Sequence, residues 1–503
     1  MTQRLTAALW KQLLQRSARK SMSLQGQIRE MLVAAILDDR LVPGAPVPSS
    51  REMAEQLEVA RNTVVLAYQQ LSDEGYLVSR QRSGHYVNPQ ISTAAGRHNE
   101  PARAVQIDGD GAAPDWVARL RQWPSAQRSI VKPADWQRYP YPFLYGQFDV
   151  AMFPMSDWRE CSIKALSVLD IREWAPDQIA RDDESLVQQI RTRVLPRRGV
   201  WARADEVVVT VGAQHALYLV ADLLMREGTR VGVEDPGYPD ARNIFLSRTR
   251  QLVPLTVDAD GLQVGDHLSG LDYVYVTPSH QCPTAVTLPL ARRESLLRQA
   301  EDDDFVIIED DFESENRFDG DPIPALKSLD RSDRVIYIGS LSKSLAPGLR
   351  IGYVVASPAI IDELRALRRL MLRHPNAFTQ RAFALYISLG HHDAQLRRIA
   401  VAQRERYAAV LEAMARHAPQ CRIVPVTGGG SCWVQLPSGV SATELANRAA
   451  DIGVLIEPGD VFFATDPAPG GYIRLGYQSI TVDAIEPGIC ALASVITQMG
   501  NSR

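Results

Sequence analysis

Hydrophobic and polar positions in the first part of the chain follow a helical period and then alternate in a short hairpin. Residues 24–38 place apolar side chains three and four positions apart, which predicts an amphipathic helix. The S-x-x-E spacing in PSSRE is that of a capping box and predicts a second helix at about 50–57. A third helix begins near Arg61 and is ended by Gly75, and YLVSRQRSGHYV then predicts two short strands. This order of elements is typical of a winged helix-turn-helix, an α+β fold.

The start of the third helix carries the residues that we expect to read DNA. The second helix of a helix-turn-helix pair lies in the major groove, where its first residues contact the bases. Here those residues are Arg61, Asn62 and Thr63, which suit guanine, adenine, and either a base or a phosphate. Further arginines are placed for phosphates or the minor groove, where they add affinity rather than specificity: Arg51, Arg80 and Arg82. Singly, each arginine is more simply explained as a surface residue, so the prediction depends on the whole arrangement.

The charge distribution favours a polyanionic partner at the same end of the chain. Residues 1–88 hold 11 Lys and Arg against 8 Asp and Glu, a balance of +3, whereas the whole chain carries −4. Residues 1–22 hold five basic residues and no acidic one. A basic end on an acidic body suits a nucleic acid, although a solvated basic tail explains the charge equally well.

Cysteine usage and hydropathy bear on the cellular compartment. The 503 residues include five scattered cysteines with no CxxC pair, which argues against a disulfide framework and against a zinc site. No apolar stretch approaches the roughly 20 residues of a membrane span or the core of a signal peptide. We therefore expect a cytoplasmic protein that binds no metal and no membrane.

The rest of the chain divides into a linker and a large α/β domain. Residues 89–134 are rich in Ala, Gly, Pro, Arg and Asp, which predicts a long connection with one short helix. Beyond residue 200, β-type apolar runs such as EVVVTVG, RVGVEDP and DFVIIEDD alternate with helical stretches. Such alternation predicts a mostly parallel sheet. The predicted domains are a winged helix-turn-helix with a basic N-terminal arm at 1–88, the linker, and a large domain at 135–503.

Polar residues follow the predicted strands, where α/β sheets bind their ligands. Lys343 comes just after an apolar strand, so poor hydration lowers its pKa and favours the neutral amine that a Schiff base requires. Asp310 belongs to three adjacent carboxylates that call for a cationic partner, and Tyr238 can cover a planar ring. Other residues at strand ends suit a phosphate: Ala213, Gln214, Ser340, Ser342 and Arg350. Together these groups are the equipment of a pyridoxal 5′-phosphate site.

Two resemblances extend this interpretation. PSSREMAEQL, ARNTV and RSGHYV resemble the GntR family of DNA-binding domains, with Ala60 where that family usually has a capping serine. From about residue 140 the chain resembles fold-type I aminotransferases, which implies a multidomain protein whose small subdomain begins at about 385. The second resemblance implies that Lys343 binds the cofactor aldehyde, that Asp310 pairs with the ring nitrogen, and that Arg474 in GGYIRLGYQ binds the effector carboxylate.

Two segments depart from the aminotransferase pattern. In TPSHQCPTAV the asparagine that contacts the cofactor ring is replaced by His280, Gln281 or Cys282, depending on alignment. We name His280 as the cofactor-binding candidate. Phe312 stands where members commonly have a tyrosine, whose hydroxyl bonds the cofactor's phenolic oxygen. The missing hydroxyl puts efficient catalysis in doubt without removing cofactor binding.

A GntR-type reader fused to this domain resembles the MocR (GabR-like) transcription regulators, with TPSHQ, EDDFESE and SLSKSLAPGLRIGY closest to them. The YPFLYGQFDVAMFP segment is nearest to the ectoine- or taurine-utilisation subgroup. The resemblance implies double-stranded DNA and a small amine or amino acid as partners, and a domain-swapped, head-to-tail homodimer. The effector, the operator sequence, and activation versus repression stay open.

Three hypotheses of function follow. In the first, an amino compound forms an external aldimine with the cofactor, releases Lys343, and so changes DNA binding. In the second, the chain is an active aminotransferase with an accessory DNA-binding domain, because Asp310, Lys343 and Arg474 are retained. In the third, the aminotransferase fold is only a dimerisation platform, which would need neither Lys343 nor Asp310. We favour sensing over turnover.

Overall fold

The computed structural model describes residues 7–17, 22–80, 84–91, 114–313, 317–318, 323–465 and 467–501. The chain forms two compact units, Met1–Arg119 and Leu120–Arg503. The wing residue Arg82 and the middle of the predicted linker, 92–113, lie outside the described residues.

The first unit has the predicted winged helix-turn-helix order. Strands β1 and β2 pair antiparallel, with Leu77 opposite Val87. Ser49 Oγ accepts a hydrogen bond from the Glu52 backbone N–H at 3.2 Å, so the predicted cap of the helix Ser50–Leu57 is present. Ala60 provides no side-chain cap for the next helix. The elements are α1 (Ala7–Ser17), α2 (Leu24–Leu37), α3 (Ser50–Leu57), α4 (Arg61–Asp73), β1 (Leu77–Arg80), β2 (Gly84–Val87) and α5 (Trp116–Arg119).

Helix α1 corrects the predicted basic N-terminal arm, because Ala7–Ser17 is an α-helix. Trp10 and Leu13 are buried in the same hydrophobic core as α2, α3 and α4. Their spacing of three residues is the helical period, but the surrounding basic residues drew attention to charge instead. Part of the N-terminal segment therefore packs on the reader domain.

The second unit is built on a large sheet with the predicted, mostly parallel arrangement. Its strand order is β4-β11-β10-β9-β8-β5-β6-β7. Five neighbouring strands of the sheet, β6, β5, β8, β9 and β10, pair in parallel, and β11 runs antiparallel between β10 and β4. The strands are β4 (Val207–Thr210), β5 (Arg230–Asp235), β6 (Gln251–Asp258), β7 (Gly261–Leu262), β8 (Tyr273–Val276), β9 (Val306–Asp311), β10 (Val335–Ser340) and β11 (Gly352–Val355). The parallel strands end at one edge, where the polar residues collect.

A smaller antiparallel sheet, of order β12-β13-β16-β15, forms the C-terminal part of the second unit. Its strands are β12 (Arg422–Ile423), β13 (Ser431–Gln435), β15 (Glu457–Pro458) and β16 (Tyr472–Gly476). β3 (Tyr141–Pro142) pairs in parallel with β14 (Val454–Leu455), so a segment far upstream in sequence joins this C-terminal part.

Helices precede, separate and follow these strands in the second unit. They are α6 (Met155–Ala165), α7 (Val168–Trp174), α8 (Glu184–Gln189), α9 (Gly212–Leu224), α10 (Pro239–Leu246), α11 (Leu290–Asp302), α12 (Pro358–Leu372), α13 (Ala377–Ser388), α14 (His391–His417), α15 (Ala442–Asp451) and α16 (Val482–Asn501). In the described part of the chain, no helix is both long and apolar enough to cross a membrane.

Residues 120–134, which the sequence assigned to the linker, belong to the second unit. The Asn243 side-chain amide donates to the Arg128 carbonyl at 2.9 Å, and Arg128 Nη2 donates to the Asp460 carbonyl. These polar anchors hold an irregular segment that carries no apolar period, which explains why periodicity could not find it.

Candidate functional site

A cavity of about 330 Å³ opens where the parallel strands of the large sheet end. Ten of the residues predicted for the cofactor and effector line it: Ala213, Gln214, Tyr238, Asp310, Phe312, Ser340, Ser342, Lys343, Arg350 and Arg474. His280 does not line it. The structure therefore brings together residues that span more than half of the chain.

Lys343 is held between an aromatic ring and a phenol. Its Nζ lies 4.0 Å from the centroid of the Phe312 ring and donates a hydrogen bond to Tyr145 Oη at 3.2 Å. Burial lowers the pKa of Lys343, against the opposing fields of Glu313 and Asp310. A lowered pKa increases the fraction of neutral amine, the form that attacks an aldehyde.

The three adjacent carboxylates at the end of β9 have different partners. Both oxygens of Glu309 accept backbone N–H groups, from Leu326 at 2.8 Å and from Lys327 at 2.7 Å. The neighbouring Asp310 lines the cavity, whereas Glu309 does not. Because strand side chains alternate between the two faces of a sheet, Glu309 points away from the face of Asp310.

Asp311 is neutralised by a buried arginine. Arg198 Nε donates to Asp311 Oδ2 at 2.8 Å, and Tyr337 Oη donates to the same oxygen at 2.7 Å. The Arg198 guanidinium and the hydroxyl of Tyr337 help to hold the pKa of Asp311 below its ordinary value although burial raises it. Arg198 lies 113 residues upstream of Asp311, so no local sequence pattern predicts that it is the cationic partner.

Asp310 is the carboxylate that faces the cavity, and only one of its two oxygens accepts a hydrogen bond from the part of the chain that the structure describes. Its Oδ2 accepts from Tyr275 Oη at 2.9 Å, while Oδ1 is buried and has no hydrogen-bond partner among the described residues. Burial raises the pKa of Asp310 to about 6, although Lys343 and Tyr275 favour the charged form. A buried acceptor without a donor is costly, so this atom suits a cationic N–H group from a ligand.

The N-terminus of α9 contributes to an anion cradle. Gly212 begins the helix with a φ of +77°, and a Cβ on it would lie 3.0 Å from Arg350 Nη2. Glycine therefore permits the close approach of the arginine to backbone N–H groups that favour an anion. Arg350 Nη2 also donates to the Val211 carbonyl at 3.3 Å.

The two serines of the predicted cradle differ in their bonding. Ser342 Oγ donates to the Ile351 carbonyl at 3.0 Å and also accepts from the Ile351 N–H. This hydroxyl is already used to fix the turn between β10 and β11. Ser340 ends β10 at the cavity wall and is half-buried. Of the two, Ser340 has the freer position for contacting an anion.

Tyr238 is placed at the wall by a polar contact of its hydroxyl. Its Oη donates to Asp240 Oδ2 at 3.1 Å, and Gln214 Nε2 donates to the same oxygen at 3.3 Å. Tyr238 immediately precedes α10, where Pro239 occupies the first turn. The ring therefore lines the cavity while its polar end is bonded to Asp240.

The structure distinguishes among the three residues left open in TPSHQCPTAV. Cys282 lines the cavity, and burial raises the pKa of its thiol to about 12. Gln281 is buried and donates to Glu234 Oε2 at 3.2 Å and to the Pro236 carbonyl at 2.8 Å. His280 is buried away from the wall, and burial lowers its pKa to about 4. Of the three residues, Cys282 is therefore the one whose side chain lines the cavity, and its thiol is neutral.

Arg474 is oriented from three sides. Its Nε donates to Glu457 Oε2 at 2.6 Å. The guanidinium carbon lies 4.4 Å from the centroid of the Tyr145 ring and 4.6 Å from that of Phe462. Stacking on two rings and pairing with a carboxylate keep a buried guanidinium in one position.

The sequence did not predict several lining residues: Ile130, Lys132, Tyr145, Gly146, Asp240 and Pro347. Lys132 lies in the predicted linker, where no apolar period marks structure. Tyr145 lies in YPFLYGQFD, a segment dense in aromatic residues. That run of aromatic residues was the available signal for a binding site.

The predicted DNA-reading residues lie in the first unit and are described there alone. Arg61 and Asn62 are exposed at the start of α4, and Arg51 is exposed on α3. Thr63 is half-buried. The exposed Arg80 places its guanidinium carbon 4.5 Å from the centroid of the Tyr86 ring in the hairpin.

Comparisons with known proteins agree with this division. Residues 24–87 match "Bacterial regulatory proteins, gntR family", and residues 185–488 match "Aminotransferase class I and II". The HTH-type transcriptional regulator TauR of Rhodobacter capsulatus is 40% identical over 474 residues, which are 94% of this chain and 96% of that protein. The probable rhizopine catabolism regulatory protein MocR of Rhizobium meliloti is 32% identical over 95% of this chain and 94% of its own length. The chain belongs to the MocR/GabR-like family of regulators.

The aminotransferase domain of this MocR-like chain implies its cofactor, and a solved structure of the same fold is similar to it. The α-aminoadipate aminotransferase LysN from Thermus thermophilus, complexed with N-(5′-phosphopyridoxyl)-L-leucine, has a TM-score of 0.71 and 26% identity, over 78% of this chain and all of that one. The aminotransferase domain and this neighbour assign pyridoxal 5′-phosphate. The residues fit it, since Asp310 Oδ1 lacks a donor among the described residues and Lys343 has a lowered pKa.

Proposed function

We propose that the chain regulates transcription by sensing a small amino compound at Lys343. The observation that carries the proposal is the combination of an exposed reader, Arg61 and Asn62, with a cavity in which Lys343 and Arg474 both face the same space. The cofactor aldehyde held at Lys343 would take the amine of an effector, and Arg474 suits an acid group such as a carboxylate or sulfonate.

The chemistry of sensing is divided between the cofactor and the chain. When bound, pyridoxal 5′-phosphate supplies an aldehyde that condenses reversibly with primary amines. Asp310 would hold the ring nitrogen, and the α9 N-terminus with Arg350 and Ser340 would hold the phosphate. An effector amine would compete with Lys343 for that aldehyde, and Lys343 Nζ has a hydrogen-bond partner in Tyr145 Oη.

The surroundings of Lys343 support sensing rather than turnover. Phe312 presents a ring without a hydroxyl at 4.0 Å, and the phenol beside the amine belongs to Tyr145 instead. Tyr145 Oη in turn donates to Glu313 Oε2 at 3.1 Å. Proton transfer during turnover depends on where hydrogen-bond donors and acceptors lie. In this chain the phenol lies at Tyr145, whereas the aminotransferase pattern has a tyrosine at the position of Phe312.

We also propose a cytoplasmic, head-to-tail and domain-swapped homodimer that binds double-stranded DNA. Exposed apolar side chains on α6 and α7 support a subunit contact at those helices: Met155, Ile163, Leu166 (which ends α6), Val168 and Leu169. The free thiols of the described cysteines suit a reducing compartment.

The coupling of effector to DNA requires two states with different effector affinity. A ligand shifts such an equilibrium only by its differential affinity for the two states. The test begins by selecting duplexes from a randomised pool with the cofactor-loaded chain. Mobility shifts of the selected DNA are then measured with and without a panel of amines, and repeated with Lys343→Ala.

Amine-dependent changes in DNA affinity that disappear in Lys343→Ala are expected. Enrichment of no duplex under any condition would refute the regulatory role. Arg61→Ala serves as the control for specific DNA contact.

A working aminotransferase is the second candidate function, because Asp310, Lys343 and Arg474 line one cavity. Its test is the accumulation of a keto product in excess of the protein concentration when an amino acid and a keto acid are supplied. Turnover at the rate of ordinary aminotransferases, with no DNA binding, would favour this function over the first.

A further inference from the structure

Three charged side chains meet at one wall of the cavity. Lys132 Nζ lies 3.3 Å from Glu457 Oε1, and Arg474 Nε lies 2.6 Å from Glu457 Oε2. Lys132 Nζ also donates a hydrogen bond to the Tyr145 carbonyl. A single carboxylate therefore bridges two cations that come from segments more than 300 residues apart.

The two cations face the cavity, whereas the carboxylate that joins them lies behind the wall. Lys132 and Arg474 are lining residues and Glu457 is not. The Glu457 side chain is 2% exposed and that of Lys132 is 23% exposed. Two positive charges against one negative charge leave an excess positive charge at this part of the wall.

A structural ion pair alone does not explain this arrangement. Arg474 and Glu457 already balance each other, and adding a second cation to a desolvated carboxylate costs free energy unless another anion joins. Burial lowers the pKa of Lys132, and the neighbouring Arg474 lowers it further, against Glu457. Another lining carboxylate, Asp240, also favours the charged form of Lys132 but accepts hydrogen bonds from Tyr238 and Gln214.

We infer that Lys132 and Arg474 together bind the acid group of the effector, and that Glu457 is a positioning residue for both. This inference rests on the proposed function, in which an amine reacts at Lys343. It narrows the effector to a primary amine that carries an ionised carboxylate or sulfonate within the same cavity. An amine without an acid group would leave the excess positive charge uncompensated.

The geometry makes Lys132 more than a neighbour of Arg474. The Nε of Arg474 is taken by Glu457, and its Nη1 lies 3.9 Å from Cys282 Sγ. The fork of Nε and one Nη, which usually grips a carboxylate bidentately, is therefore partly occupied. A second donor on Lys132 supplies what Arg474 cannot, because an ammonium group has three N–H bonds to distribute.

The experiment titrates the cofactor-loaded full chain with three amines and follows the cofactor absorption band. The amines are 3-aminopropanoate, 2-aminoethanesulfonate and propylamine, so they compare a carboxylate, a sulfonate and no acid group. The variants are Lys132→Met, Lys132→Arg, Glu457→Gln and the surface control Lys164→Met, whose lysine pairs with Glu160 outside the cavity.

Lys132→Met is expected to raise the dissociation constants of the acid-bearing amines by about tenfold or more and to leave that of propylamine unchanged. Lys132→Arg keeps the charge and should retain a preference for acid-bearing amines. Glu457→Gln should weaken the same amines, because it frees both cations from their common anchor. The acid-bearing amine whose dissociation constant rises more in Lys132→Met indicates whether the effector carries a carboxylate or a sulfonate.

Two failures are distinguishable. If the wild-type chain responds to no amine, the proposed function fails. If the wild type responds and Lys132→Met behaves as Lys164→Met does, or weakens propylamine equally, the present inference is overturned while the proposed function stands. If Lys132→Met does not fold, as judged by circular dichroism, Lys132→Arg and Lys132→Gln decide by the same comparison.

Discussion

Replacing Tyr275 by Phe should change the ionisation of Asp310 and little else. Tyr275 Oη donates to Asp310 Oδ2 at 2.9 Å, and Oδ1 of the same carboxylate has no partner within the described ranges. The variant would leave a buried carboxylate without this donor. The ring of Tyr275 packs edge to face on Phe245 with centroids 5.5 Å apart, a contact that phenylalanine preserves.

The magnitude follows from the cost of an unsatisfied buried acceptor. That cost is about 1–3 kcal/mol. Since one pKa unit corresponds to about 1.4 kcal/mol, the variant should raise the pKa of Asp310 by roughly one to two units. In the wild type burial has already raised this pKa from 3.8 to about 6.

The sign of the pH dependence is fixed by these values. A carboxyl group with a raised pKa binds its proton more tightly in the folded than in the unfolded chain. Its contribution to stability is therefore greatest below pH 3.8 and is lost as pH rises to about 6. In Tyr275→Phe the loss continues to a higher pH, so the variant should be destabilised by about 1–3 kcal/mol more at pH 8 than at pH 5.

The assay is urea unfolding of the cofactor-free chain at both pH values, followed by circular dichroism. Tyr273→Phe is the matched control, because Tyr273 lies on the same strand and its hydroxyl donates to the Leu224 carbonyl at 3.4 Å. An equal loss of stability at pH 5 and pH 8 for Tyr275→Phe would refute the assignment. A pH-dependent loss in Tyr273→Phe would show that the strand, rather than Asp310, responds.

Three further predictions follow from buried contacts and from the reader helix. Trp10→Ala should lower the unfolding free energy of the first unit by about 3–5 kcal/mol, measured by urea titration, because the side chain is 1% exposed in its core. Arg198→Met should lower that of the second unit by about 3–5 kcal/mol, since Asp311 is left buried without its cation. Arg61→Ala should relax base preference at one position by about 1–3 kcal/mol in competition binding to selected duplexes.

Each of these has an outcome that contradicts it. Wild-type stability in Trp10→Ala would mean that α1 does not contribute to the core. A stable Arg198→Met chain whose second unit unfolds as in the wild type would contradict the role of Arg198 as the compensating cation. If Arg61→Ala weakens all duplexes equally and only lowers the salt dependence, Arg61 contacts phosphate instead of a base.

Helix caps and helix ends could be predicted from the sequence, because they depend on residues that are close together along the chain. The cap at Ser49, the missing cap at Ala60 and the left-handed Gly75 after α4 depend on a few consecutive residues, and the structure has all three. The three-residue spacing of Trp10 and Leu13 in α1 is also a local pattern, although the basic residues around it favour a solvated arm. Segment 120–134 offered no such signal, because side-chain bonds to distant backbone groups hold it.

The two domain types, the mostly parallel sheet and the residue types that collect at its edge could all be predicted from the amino-acid sequence. These follow from periodicity and from the rule that parallel strands end together. Which charged side chains pair with each other inside the fold became clear from the three-dimensional structure alone. Arg198 neutralises Asp311 across 113 residues and leaves Asp310 to the cavity, and Lys132 joins Arg474 through Glu457. Such pairings depend on desolvation and three-dimensional distance, which spacing along the chain does not encode.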